Sequence, residues 1–257
     1  LLLAIPLLAA FAMPLVGLIG KRIRNSWAII AMLATVAAAL LLVWEVLTQG
    51  TIVYAFGAFD PAQVIPFDSG GVPIRILFVI DAMSAFMILT AAIMMFAATL
   101  YSISSESEQT GQDGYYALLF LLMAGIFGMV STGDLFNFFV FLEINSLAGA
   151  ALAAYRIKGG VAVEGGMKYA FISTVAGLFF LTAVGMLYAQ YNSLNIAYIA
   201  SVIDLTGLSL VAVVLMIVSL AMKSGSVPMH FWTPDTYSSA PSSITALLIV
   251  SSMASLY

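Results

Sequence analysis

Apolar residues fall in long stretches along this chain, separated by short polar segments, and a membrane-spanning helix needs about 20 mostly apolar residues. Residues 1–20 form the first such stretch, closed by Lys21-Arg22-Ile23-Arg24, which we read as a basic loop, and residues 27–48 form the second. A polar, Gly- and Pro-containing segment follows over residues 49–73. Its start, TIVYAFG, alternates as a short strand does, and FDSGGVPIRILF is suited to return beside it as a small hairpin on the membrane surface. Residues 76–101 predict a third span, followed by the polar loop SISSESEQTGQDG. Residues 115–130 and 135–155 predict spans four and five, split only by Ser131-Thr132-Gly133-Asp134. Span six covers residues 167–188. The segment SLNIAYIASVID then has apolar residues at helical spacing and predicts a short helix lying at the interface. Span seven covers residues 208–227, and span eight starts near Ala240 and is still apolar at Tyr257.

The expectation is an all-α, polytopic transmembrane bundle of about eight helices. The first helix should be retained, because a secretory signal places its positive charges before the apolar run and here they follow it. The start on Leu and the stop inside an apolar helix lead us to expect a chain cut at both ends. Lys21, Arg22 and Arg24 lie between spans one and two, Arg156 and Lys158 between five and six, and only Arg75 flanks a span on the other side. The positive-inside rule therefore puts the N-terminus outside.

Composition narrows the function. The 257 residues are 63% hydrophobic and 8% charged, far from the quarter or so of charged residues in soluble domains. The net charge of −4 leaves no basic surface for nucleic acid. The absence of cysteine excludes disulfides, iron–sulfur clusters and thiolate zinc sites in this chain, and a single histidine, His230, leaves no His-rich metal site. We expect no cofactor here.

An ionisable group deep in a span costs several kcal/mol and marks a functional candidate. Glu143 sits near the middle of span five and Lys223 in the later half of span seven. One reading is a structural ion pair between two helices. The other is a proton-handling pair: burial disfavours both charges and mutual attraction favours them, so a moving counter-charge would switch Lys223 between donor and acceptor. Ser224, Gly225, Ser226 and Pro228 follow Lys223 and predict a broken helix, the arrangement with which many carriers build midplane sites. His230, seven residues on, would be about 10 Å away along a continuous helix, within reach of one or two waters, or else a local capping group.

Weaker candidates remain. Asp134 should face the outer surface, where it could gather cations. Lys168, one turn after Glu164, is either a snorkelling anchor or a further member of the Glu143–Lys223 group. Asp81 should cap span three or pair with Arg75, and Glu45 should mark the outer boundary of span two. The 14 methionines and runs such as FNFFVF are read as packing or lipid-facing residues.

The stretch KSGSVPMHFWTPDTYSSAP, from Lys223 to Pro241, resembles the signature of the antiporter-like membrane subunits shared by complex I, Mrp-type cation/proton antiporters and membrane-bound hydrogenases. The family usually reads K-x-x-x-x-P-x-H-x-W-x-P-D-A, and Thr236 stands here in place of the Ala. DLFNFFVFLE, ending on Glu143, is similar to the family's span-five motif, and Gly166-Met167-Lys168-Tyr169 and Ser193-Leu194-Asn195 also match.

The resemblance implies a proton or sodium path with Glu143 as the span-five carboxylate and Lys223 as the span-seven lysine. It also implies two inverted five-helix repeats within about twelve to fourteen spans. Residues 1–114 would then be an N-terminal unit of three helices with the hairpin, and residues 115–257 the first repeat. The family's titratable span-eight position falls here on Ile249 or near Ala254, neither of which carries a proton. Ser251, Ser252 and Ser255 could order a water wire instead, and His230 is the best substitute relay.

Expected partners are other integral membrane subunits, lipid and, in redox-driven branches, iron–sulfur or hydrogenase-like subunits. The expected location is the inner (plasma) membrane. The FNFFVFLEI wording and the hydroxyl-rich span eight lean toward the Mrp and hydrogenase branch. The competing expectation is a structural scaffold with a degenerate ion path. A stand-alone solute transporter is disfavoured, because the spans lack a cluster of binding polar groups.

Overall fold

The computed structural model describes residues 1–56, 76–105, 111–156 and 160–256. The polar tip of the expected hairpin, Arg75, Glu106, Glu108 and Lys158 lie outside the described residues. The chain runs through α1 (Ala4–Ile19), α2 (Lys21–Gln49), β1 (Ile52–Ala55), β2 (Leu77–Ile80), α3 (Ala82–Ser105) and α4 (Gln112–Ser131). It continues through α5 (Leu135–Ala153), α6 (Val161–Tyr191), α7 (Ile196–Val202), α8 (Gly207–Ser224), α9 (Thr233–Ser239) and α10 (Ser242–Leu256). Six of these helices, α2 to α6 and α8, are long and apolar enough to cross a membrane, and α1 and α10 are shorter apolar helices.

The bundle is built around α4, whose most apolar window is 78% buried, against 28% for α2 and α8. Helices α1, α3, α5 and α10 surround α4, and α6 sits between α5 and α8. Small residues let the backbones approach, as expected where lipid supplies no hydrophobic drive between helices. A Cβ on Gly125 of α4 would lie 2.7 Å from the Asn145 Cβ of α5, and one on Gly128 would overlap the Phe141 ring.

Short polar side chains set the helix starts. Asp81 accepts from the Ser84 backbone N–H at 2.7 Å ahead of α3, and Asn195 accepts from Tyr198 N–H at 2.9 Å to cap α7. β1 and β2 pair antiparallel with Ile52 opposite Ile80. At the same end of the bundle, Gly133 N–H donates to Leu77 O at 2.8 Å and Leu135 N–H to Leu194 O at 2.9 Å. The hairpin, the α4–α5 connection and the α6–α7 connection are thus laced side by side at one end of the bundle.

Three expectations are corrected. The basic run 21–24 is the first turn of α2 rather than a loop, since the reversal is made at Gly20 and Lys and Arg are good helix formers. Arg24 is buried there, at 3.1 Å from Asp113, beside Gln112 and over the Tyr116 ring. Second, α8 ends at Ser224, inside the expected break, where Gly225 takes the left-handed conformation (φ 68°), but the chain does not run straight into span eight: a separate short helix, α9, precedes α10. Third, α6 starts at Val161, ahead of the expected residue 167, and its first turns hold Gly165 and Gly166 in close contacts with α9 and α5.

Candidate functional site

Glu143 and Ser146 lie three residues apart on α5 and so share a face. Lys223 reaches them from the last turn of α8. Its Nζ donates to Glu143 Oε1 at 2.9 Å and to Ser146 Oγ at 2.6 Å, and Ser146 Oγ in turn donates to Leu142 O at 2.7 Å. The Lys223 side chain is 3% exposed and that of Glu143 26%. A charge this buried is costly unless paired and hydrogen-bonded, and here it is paired with one carboxylate and has two of its three N–H donors bonded.

The surrounding helices are shaped to this pair. Gly177 of α6 leaves the space that the Glu143 carboxylate fills, since a Cβ there would overlap Oε1 and lie 3.0 Å from Cδ. Ser219 Oγ of α8 donates to Ala176 O of α6 at 2.6 Å, which fixes the two helices beside the pair. Past α8, Trp232 is buried, donates its indole N–H to Met222 O at 2.9 Å, and stacks on Tyr169 with ring centroids 4.6 Å apart. The Tyr169 hydroxyl lies beside Ser146 and Ser173. The result is a buried lysine paired with a partly exposed carboxylate, with the stacked Tyr169 and Trp232 rings packed beside them.

The other sequence candidates fall around this centre rather than in it. Lys168 bridges Asp235 of α9 at 2.6 Å and Glu164 at 2.8 Å with its side chain 44% exposed, so it joins α6 to α9 and not Glu143 to Lys223. His230 is exposed on the turn after α8, and since α8 ends before it, the helical spacing to Lys223 does not apply. Asp134 is 5% exposed rather than facing outward, and it caps α5 by accepting from Asn137 N–H at 2.8 Å. Burial raises its carboxyl above the ordinary range, with the Asn137 N–H opposing. On α10, Ser251 is buried and accepts from Asn145 Nδ2 at 2.6 Å, whereas Ser252 and Ser255 donate to the carbonyls of Ile249 and Ser252 at 2.9 and 2.8 Å. Ile249 is 42% exposed and Ala254 is buried. Among the described residues no group of three or more His, Asp or Glu is placed to hold a metal ion.

Residues 132–257, which contain both members of the pair, match the family described as the transmembrane part of NADH:quinone oxidoreductase and Mrp antiporter. The chain belongs to this antiporter-like family. It is 33% identical over 254 residues to NADH-quinone oxidoreductase subunit N of Desulforudis audaxviator, covering 96% of this chain and 48% of that protein. It is 33% identical over 190 residues to a Na(+)/H(+) antiporter subunit of Bacillus subtilis, covering 72% and 38%. Among solved structures, a chain of the archaeal membrane-bound sulfane sulfur reductase superposes with a TM-score of 0.88 at 31% identity, covering 98% of this chain and 51% of that one. The chain therefore spans about half the length of the relatives it matches.

The geometry joins Glu143 and Lys223, as expected from the sequence, but several of their neighbours were not found from sequence. Ser146 was legible in principle as a hydroxyl one turn from Glu143 on the same face. Asn145 was marked by being an amide inside an apolar run. Tyr169 and Trp232 gave no local signal, because their stacking joins residues far apart in the chain.

Proposed function

We propose that this chain carries one ion path of a proton, or sodium/proton, translocating subunit in a multisubunit membrane complex. Glu143 and Lys223 would be the charge-handling pair and Ser146 the hydroxyl that holds the lysine. The observation that carries this reading is a nearly fully buried lysine, bonded to one carboxylate and one hydroxyl, at the end of an apolar helix. Such a pair stores a proton whose release depends on the nearby counter-charge, which is what a pump or exchanger must control. Residues 1–114 would be a supporting three-helix unit and residues 115–257 the first repeat. Ser251, Ser252 and Ser255 would provide hydroxyls for a water wire. His230 would exchange protons at the inner mouth, where Lys168 anchors α9, and Asp134 would stand at the outer mouth.

The similarity to chains of respiratory and antiporter complexes supports integral membrane partners and a plasma-membrane location. Any redox chemistry would reside in iron–sulfur or hydrogenase-like partners, and this chain would hold no cofactor. One observation favours a scaffold instead: α10 carries no titratable side chain to receive a proton from Lys223. Glu143→Gln separates the two. It removes the charge with little change of shape, so a relay loses proton movement in vesicles carrying the complex, whereas a scaffold that still assembles keeps it.

A further inference from the structure

We propose that Asn145 positions a bound water and the Ser251 hydroxyl so that together they form the onward step from Lys223 into α10; this rests on the reading of Glu143–Lys223 as a translocation pair. Three serines of α10 are buried, Ser243, Ser251 and Ser255. Ser243 bonds the Tyr115 hydroxyl at 2.9 Å and Ser255 bonds the backbone of its own helix. Ser251 alone is met by a side chain of α5, the Asn145 amide at 2.6 Å. Asn145 is 3% exposed, and its Oδ1 is fully buried with no hydrogen-bond partner. Turning the amide over exchanges the two atoms and still leaves one of them unmet.

An unmet buried amide atom is costly, and in protein interiors water is the usual group that satisfies it. The next residue, Ser146, holds Lys223 Nζ. A path along these atoms needs no titratable residue on α10. The Lys223 ammonium gives one proton to water and becomes a neutral amine. Each water or serine hydroxyl then accepts a proton on a lone pair and releases its own, and Ser251 passes the last one to water beyond it. The Asn145 amide gains and loses nothing; it holds the water and Ser251 in line.

The test uses the native complex in membrane vesicles, with a lumenal pH dye for proton movement and the amount of assembled complex as reference. Asn145→Leu and Ser251→Ala are each expected to slow proton movement by about tenfold or more. Asn145→Asp, which keeps an acceptor and adds a titratable group, restores movement in part and makes it pH-dependent. Normal movement in Asn145→Leu and Ser251→Ala, with loss in Glu143→Gln, overturns this proposal and leaves the pair reading intact. Normal movement in all three overturns both. Where Asn145→Leu prevents assembly, Ser251→Ala decides alone, since it removes a single oxygen. A map of the native complex that shows ordered water is expected to place one within about 3.2 Å of the free amide atom. A pocket closed there by apolar atoms overturns the proposal.

Discussion

Gly177→Ala perturbs the central pair without touching a charged residue. The added Cβ would overlap Glu143 Oε1 and stand 3.0 Å from Cδ, so the carboxylate must retreat by about 1 Å to reach ordinary contact distance. The obstacle is the far end of a flexible side chain, and it can move without dragging α5. If that movement is away from Lys223, the Nζ to Oε1 separation of 2.9 Å becomes nearly 4 Å. At an effective dielectric constant of about 20 the attraction drops from roughly 6 to roughly 4 kcal/mol, a loss of about 1.5 kcal/mol, or about tenfold in any equilibrium that depends on the pair. The helix itself gains about 0.5–1 kcal/mol when Ala replaces Gly. The expected outcome is proton movement slowed about tenfold with only a small fall in the melting temperature of the solubilised protein, because the helix gain offsets most of the lost attraction. Wild-type proton movement in a normally assembled Gly177→Ala complex would refute the claim that the geometry of this pair controls transfer.

Other positions give independent tests. Arg24→Leu removes a buried guanidinium from Asp113 and Tyr116 and should cost about 2 kcal/mol, seen as a lower melting temperature, while leaving proton movement per assembled complex unchanged. Trp232→Phe keeps a ring against Tyr169 but loses the N–H donated to Met222 O, at a cost of about 1 kcal/mol by thermal melting. Asp134 gives a pH signature. Its carboxyl is raised in the folded chain, so the folded chain binds this proton more tightly than the unfolded one, and this contribution to stability is lost as pH rises from the ordinary carboxyl range through the raised one. Asp134→Asn, which retains a capping oxygen, should remove that slope in melting temperatures measured from about pH 4 to neutrality, whereas Asp134→Ala should remove the slope and also lose the cap, worth about 1 kcal/mol.

The helix bundle was legible because apolar runs of membrane length leave few alternatives, and the short helix now seen as α7 was marked by its apolar spacing. The pair Glu143 and Lys223 was legible from the cost of burying charge. Other features depended on contacts distant in sequence. Lys168 was read against Glu164, one turn away, but its second partner is Asp235, which reaches it only because α9 folds back onto the start of α6. Helix α9 has seven residues, too few to show a period, and Pro234 in its first turn reads equally well as a breaker. Arg24 looked like a loop cation because charge near a span boundary is ordinarily exposed. Its burial follows from Asp113 and Gln112 at the start of α4, which no local pattern announces.

The most direct test of the central claim is Lys223→Arg. Arginine keeps the positive charge and can bond both Glu143 and Ser146, but it does not release its proton in a protein. If Lys223 handles protons, the variant complex assembles and melts close to the wild type, yet proton movement in vesicles is abolished. Proton movement at the wild-type rate in an assembled Lys223→Arg complex would contradict the account and leave the pair as a structural tie between α5 and α8.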